Sequence, residues 1–289
     1  MKLVKTVAVL SVAFAASSAF AANPASGFSL NNVKGVKHIV PTVETNQNDA
    51  NFGKAAINVV DSNAKTTNKN GLANNQPVSF AKIDAKANRF FVKTFAHSIL
   101  GKDKNGVTVA NLYRMKGIVW DNIPRMPDHS HLGRLSYSKV GNMDVYFGDW
   151  SAVPSGAAVG TKGTNYTAFY SGTGRTTNLP TTGTATYTVK GINQYHAQNS
   201  AVLNGTLTAD FSSNKLSGSL KNSGLTIAIN NAAIKTAEAS FSGNATANGT
   251  AGATRGHFFG NQGAAIAGVA EFGRNHAYNT AFGGTKTGK

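Results

Sequence analysis

The alternation of apolar and polar residues divides the chain into two kinds of sequence. From residue 185 onward, apolar or small residues recur at every second position. The runs are Ala185, Tyr187 and Val189; Gly205, Leu207, Ala209 and Phe211; Leu216, Gly218 and Leu220; Leu225, Ile227 and Ile229; Ala237, Ala239 and Phe241; and Ala264, Ile266, Gly268, Ala270 and Phe272. A period of two is that of a strand with one buried face. Ser213-Asn214, Asn222-Ser223-Gly224 and Asn248-Gly249 split the runs with residues that accept hairpin turns. About eight strands result, the number of a small closed up-and-down barrel. The inward positions mix Gly and Ala with Leu, Ile and Phe, which predicts a solid interior that holds no ligand. An open sandwich is the competing arrangement.

The first half is less regular. Strand-like pieces occur at Val36–Val40, Ala56–Val60, Phe90–Phe95, Leu112–Trp120 and Asp144–Trp150, separated by long stretches such as Asn63–Asn75 and Gly101–Gly106. Loops of that length are usually functional or mobile. Phe95–Leu100 predicts a short helical turn ended by Gly101. Composition sharpens the division: 21 of the 31 glycines lie after Trp150, whereas both tryptophans and nine of the 12 acids lie before Ser151. Pro154, Gly156, Gly160 and Gly163 mark a boundary. The predicted fold is mainly β, with an N-terminal mixed/β ligand-binding handle over residues 22–150. A C-terminal eight-stranded antiparallel β-barrel follows over 151–289.

Residues 1–21 stand apart. Lys2 and Lys5 precede an uncharged apolar run, Val7–Ala16, and Ser17–Ala21 supplies the small residues of a cleavage site. This is a secretory signal peptide expected to be cut after Ala21, and it is too short to span a bilayer. The formal charge of +16 drops to +14 without its two lysines. The remaining basic residues form no run and no aromatic-interleaved stripe, so nucleic acid is not an expected partner. The chain has no cysteine, which removes disulfides, thiolate metal sites, cysteine nucleophiles and a lipid anchor through cysteine.

No Gly-x-Ser-x-Gly elbow, phosphate loop or His-Glu-x-x-His is present, and the acids are scattered, so an enzyme is not expected. Seven histidines remain for metal chemistry. His257 falls in a predicted barrel strand, His276 in a terminal turn and His196 in a loop. His129-Ser-His131 is different, because Pro124 and Pro127 restrict the loop that carries it. Imidazoles at i and i+2 share a face if extended, while in a loop only one need point inward. His38 stands in Gly35–Pro41, an apolar segment closed by proline, and His97 follows the aromatic cluster Phe90-Phe91…Phe95. Histidines from separate apolar segments, with aromatic and cationic neighbours, suit heme. They also leave a zinc site open, partly supplied by Asp128, His129 and His131, as well as a general binding module. Phe90, Phe91, Phe95, Tyr113 and Met115 are candidate pocket walls or ordinary core.

Several strings in the second half carry a resemblance. They are Val145-Tyr-Phe-Gly-Asp-Trp150, Tyr170-Ser-Gly-Thr-Gly-Arg-Thr-Thr-Asn-Leu-Pro180, Gly183-Thr-Ala-Thr-Tyr-Thr-Val-Lys-Gly191, Gly256-His-Phe-Phe-Gly-Asn261 and Ala270-Glu-Phe-Gly273. Residues 145–289 resemble the transferrin-binding-protein-like barrel of neisserial-type surface proteins. Most of those are lipoproteins anchored through cysteine; a chain with no cysteine is similar instead to their secreted branch, the hemophilins. The resemblance implies a hemophore, secreted through the periplasm of a Gram-negative bacterium by a Slam-type outer-membrane translocator. Such a protein captures heme b through histidine, with host hemoproteins as a source, and passes it to a TonB-dependent outer-membrane receptor. The expected axial ligands are His38 and His129, with His131 and then His97 behind them. The rival expectation is a secreted or surface factor on the same scaffold that binds a host protein or promotes colonisation.

Overall fold

The computed structural model describes residues 23–30, 37–61, 73–87, 99–113, 131–154, 160–196 and 200–287. In chain order the first part runs β1 (Ala25–Phe28), β2 (Lys37–Val43), β3 (Ala55–Asp61), β4 (Val78–Ser79), α1 (Phe80–Ala87), β5 (Ile99–Lys102), β6 (Thr108–Tyr113), β7 (His131–Lys139), β8 (Val145–Ala152) and β9 (Thr164–Gly172). The second part runs β10 (Thr184–Ile192), β11 (Leu203–Asp210), β12 (Lys215–Lys221), β13 (Thr226–Lys235), β14 (Ser240–Ala247), β15 (Thr250–Phe259), β16 (Ala265–Glu271) and β17 (Thr280–Thr287). Strands β10 to β17 close into an eight-stranded barrel in sequence order, every pair antiparallel. The first part forms a six-stranded sheet, β1-β9-β8-β7-β6-β5, and a three-stranded sheet, β2-β3-β4. The expected mainly β fold, with a β unit ahead of an eight-stranded barrel, is the fold observed.

The barrel interior is solid. Phe241 meets Phe258 edge-on with ring centroids 5.7 Å apart, and the buried Tyr187 hydroxyl donates to the Gly263 carbonyl at 2.7 Å. Asn248 and Gly249 turn β14 into β15 with φ of 46° and 85°, the two left-handed residues of a type I′ hairpin. The run at Ala237–Phe241 is not all strand. Thr236–Glu238 is a 3-10 turn ending on Ala239 at φ 45°, and β14 begins at Ser240.

The first part departs further from the expectation. Residues 131–133, expected in a proline-bracketed loop, open β7. Of the expected helical turn at Phe95–Leu100, Ile99 and Leu100 lie in β5; the helix is α1, where Phe80 stacks on Tyr146 at 4.6 Å. The expected strand at Phe90–Phe95 lies outside the described residues, as does the part of Leu112–Trp120 beyond Tyr113. Residues 164–172, expected in the second unit, form β9 of the six-stranded sheet, and the barrel's first strand starts at Thr184. Tyr166–Gly172 is buried at every residue, so it carries no alternation to read.

The six-stranded sheet packs on the barrel wall formed by β16 and β17. Val145, Phe147, Ala168 and Tyr170 share a buried cluster with Phe259, Ala265, Ala267 and Ala281. Two rings lock the contact. A Cβ on Gly283 would fall 2.5 Å from the Phe147 ring, and one on Gly172 would fall 2.7 Å from the Phe259 ring. Tyr195, from the β10–β11 connection, plugs into the sheet. Its N–H donates to Asp149 Oδ2 at 2.8 Å, its carbonyl accepts from Ser136 Oγ at 3.2 Å, and its hydroxyl bonds Asp103. Across the same seam the Tyr170 hydroxyl and His257 Nδ1 share a hydrogen bond of 2.8 Å. Arg255, paired with Glu271, holds the Phe28 carbonyl, and Glu271 accepts the Leu30 N–H at 2.9 Å.

Two seam groups titrate in opposite senses. Burial pushes the Asp149 carboxyl up to about 8, against the opposing pull of the Tyr195 N–H and Arg134. Burial, aided by Arg175, pushes His257 down to about 4. The folded state therefore holds an extra proton on Asp149 between about pH 4 and 8, and stability falls as pH rises through that range. It lacks a proton on His257 between about pH 4 and 6.5, where stability rises with pH; each slope approaches about 1.4 kcal/mol per pH unit. The two cancel below pH 6.5 and leave a decline above it. Denaturant titrations of wild type at pH 6.5 and 8 are expected to differ by roughly 2 kcal/mol, and Asp149→Asn to flatten that difference. An unchanged slope in the variant would contradict this.

Candidate functional site

The three-stranded sheet has one face in the core and one open. On β2, Ile39 and Pro41 are buried, and on β3, Ile57 and Val59 are buried. Ile39, Ile57 and Val59 pack with Leu112, Leu132, Leu135 and Trp150 of the six-stranded sheet. β2 is an edge strand, so Pro41 removes an N–H that the ladder does not use. Two hydroxyls fasten β2 to the layer below: Ser26 Oγ donates to the Pro41 carbonyl at 3.2 Å and Ser171 Oγ to the Thr42 carbonyl at 2.9 Å.

The alternate residues make the open face. His38 lies opposite Val60, and Val40 opposite Asn58. Val40 is one of two exposed large hydrophobic side chains among the described residues. His38 Nδ1 is buried and without a hydrogen-bond partner, whereas its Nε2 is unpartnered and open to solvent. An imidazole with an accessible Nε2, beside aliphatic side chains, has the chemistry of an axial heme ligand and its apolar surround. The orphaned Nδ1 agrees with this, since it would carry the proton of a ligating neutral ring.

The other expected residues fall less fully within view. His131 and Tyr113 are cross-strand partners where β7 pairs with β6, and this describes their backbone only. That corner is fixed by Trp150, whose Nε1 donates to the Leu132 carbonyl at 3.0 Å. Its indole occupies the space beside Gly133, where φ is +100° and a Cβ would lie 2.3 Å from Nε1. His129, His97, Met115, Phe90, Phe91 and Phe95 lie outside the described residues.

The remaining described histidines are otherwise placed. His196 Nδ1 lies 3.0 Å from the Gln194 carbonyl, His257 is held by Tyr170, and His276 lies on the surface. Sequence reasoning missed Val40, Val60 and Asn58. Their signal was the run Ala55-Ala-Ile-Asn-Val-Val-Asp61, in which Val60 is apolar on a face that the register exposes.

Comparison with known proteins places the chain in a class of two-part heme-binding proteins. The family model described as the HphA N-terminal heme-binding domain matches residues 42–163, and that described as the HphA C-terminal domain matches residues 177–286. The chain belongs to the HphA, or hemophilin, family and carries its heme-binding domain. His129 and His131 fall inside the first match; His38 precedes its start and shares strand β2 with it. Among solved structures, the apo haemoglobin receptor HpuA of Kingella denitrificans is 18% identical, with 78% of this chain and 92% of that one covered and a TM-score of 0.44. HpuA in complex with human haemoglobin gives 20%, 64%, 86% and 0.41. Transferrin binding protein B of Haemophilus parasuis Hp5 gives 17%, 63%, 37% and 0.39, so the chain spans little over a third of that protein. These similarities are modest, and the functional reading does not depend on them.

The two faces of β2 separate stability from binding. Ile39→Ala is expected to destabilise the ligand-free protein by roughly 2–5 kcal/mol, as removal of a fully buried aliphatic side chain does. His38→Ala is expected to leave the thermal midpoint unchanged or raised, because it removes a buried unpaired polar atom. Thermal unfolding by circular dichroism checks both.

Proposed function

We propose that the protein is a secreted hemophore that binds heme b through His38 and His129, with His131 and then His97 as the next candidates. The observation that supports this best is His38 itself, with Nε2 open, Nδ1 buried and unbonded, and Val40 and Val60 beside it. His129 is two residues ahead of β7, whose Leu132 shares the Ile39 core cluster. Heme, when bound, would supply an iron that takes imidazole nitrogen as a ligand, and His38 and His129 would hold it.

In this reading the chain's residues hold and shield the group and carry out no reaction on it. His38 gives a neutral Nε2 and keeps its proton on Nδ1. Val40 and Val60 keep water from the macrocycle beside it. Two axial imidazoles leave no open position for oxygen chemistry, which suits capture and transfer over catalysis. The wider proposal follows the family. A signal peptide cleaved after Ala21 starts export, a Slam-type translocator completes it, host hemoproteins supply heme, and a TonB-dependent outer-membrane receptor takes it. The barrel's solid interior suits a rigid base for such a handle.

Hemin titration of the purified full chain is the test. A sharpened Soret band with low-spin features is expected, and its absence would sink the bis-histidine reading in favour of a factor that binds a host protein. His38→Ala and His129→Ala are each expected to convert the spectrum towards high spin and to weaken binding at least as much as the ~10–100-fold loss typical of an outer-shell partner. A His129→Ala spectrum identical to wild type would reassign that ligand and leave heme capture standing.

A further inference from the structure

The open face of β2 and β3 holds a second orphaned atom besides His38 Nδ1. Asn58 Oδ1 is also buried with no hydrogen-bond partner, while its Nδ2 is unpartnered and open to solvent. Among the described residues the other buried side-chain atom without a partner is Asp149 Oδ1, which lies at the barrel seam and away from this face. Register makes the two residues neighbours. His38 pairs with Val60 and Val40 with Asn58, so His38 and Asn58 are diagonal partners on one face of an antiparallel pair. Diagonal residues lie about 7–8 Å apart between backbones, within reach of an imidazole and an amide turned towards each other.

The two atoms are also of complementary type. If Nε2 is given to iron, the imidazole proton must sit on Nδ1, which becomes a donor; an amide Oδ1 is an acceptor. Leaving either buried and unmet is unfavourable, and a hydrogen bond between them would satisfy both. Ligating histidines almost always donate their second ring nitrogen to an oxygen, which fixes the ring and raises its basicity. We propose that Asn58 is the positioning residue of the heme ligand: its Oδ1 accepts the Nδ1–H of His38 when Nε2 coordinates iron. This rests on His38 as an iron ligand. Asn58 touches neither iron nor macrocycle in this role and acts through the imidazole.

The experiment loads wild type, Asn58→Asp and Asn58→Leu with hemin and reads the iron midpoint potential, the low-spin EPR signal and hemin release to an excess of apomyoglobin. Asn58→Asp supplies a stronger acceptor, so its potential is expected below wild type with release still slow. Asn58→Leu supplies none, so its potential is expected above wild type and its release roughly 10–100-fold faster. A merely structural role would not move the potential in opposite directions. Should Asn58→Leu fail to fold, hemin-loaded wild type labelled with 15N gives the same answer. A slowly exchanging His38 Nδ1 proton close to the Asn58 amide is expected, and its absence overturns the proposal. Variants that bind hemin with wild-type potential and EPR overturn this inference alone, whereas wild type that binds no hemin overturns the heme reading with it.

Discussion

The close approach of the six-stranded sheet to the barrel depends on two rings seated where side chains are missing. Phe147 reaches from β8 over Gly283 of β17, and Phe259 reaches from the end of β15 over Gly172 of β9. Each half supplies one ring and one glycine, so neither surface can move without losing both contacts. Because they sit so near, β16 is buried along its whole length, with the barrel interior on one side and the sheet on the other. The seam is therefore packed like a core, and the barrel and handle behave as parts of one solid.

Such a seam traps polar groups, and their pairing sets its chemistry. The Tyr195 plug satisfies its N–H, carbonyl and hydroxyl within the first sheet, and the Arg255–Glu271 pair binds the backbone at both ends of residues 28–30. Burial keeps His257 neutral, and its Nδ1 shares a single hydrogen bond with the Tyr170 hydroxyl. Asp149 has one oxygen bonded and one bare, and burial keeps it protonated near neutrality. Close packing demands that each ionisable group there be paired, as Arg255 and Glu271 are, or held neutral, since an unpaired ion would lack the solvent that stabilises it.

What could be read from sequence follows the number of buried faces. β10–β13 face water on one side, so their alternation was plain, down to the Asn248-Gly249 turn between β14 and β15. β8 and β9 are covered on both sides and carry no alternation, so β9 passed for part of the barrel; β16 is as deeply buried yet was legible, because Ile266, Gly268 and Ala270 still recur at every second position. The opening of β7 was hidden because His131-Leu132-Gly133 has the composition of a loop; only the Trp150 indole over Gly133 explains why a left-handed glycine sits inside a strand. At the candidate site, His38 stood out by its apolar segment and closing proline. Asn58 did not, because one asparagine among many acquires meaning only from the register that sets it diagonal to His38.

The site's placement follows from the same division between covered and open faces. The barrel wall and the six-stranded sheet use their surfaces on each other, and the barrel interior is full, which leaves the outer face of β2–β3 as an open face with aliphatic residues. That layer is held from beneath by Ile39, Ile57 and Val59 and at its edge by Ser26 and Ser171. It carries two buried polar atoms without a partner, His38 Nδ1 and Asn58 Oδ1, a cost of about 1–3 kcal/mol for each that the packing beneath must offset.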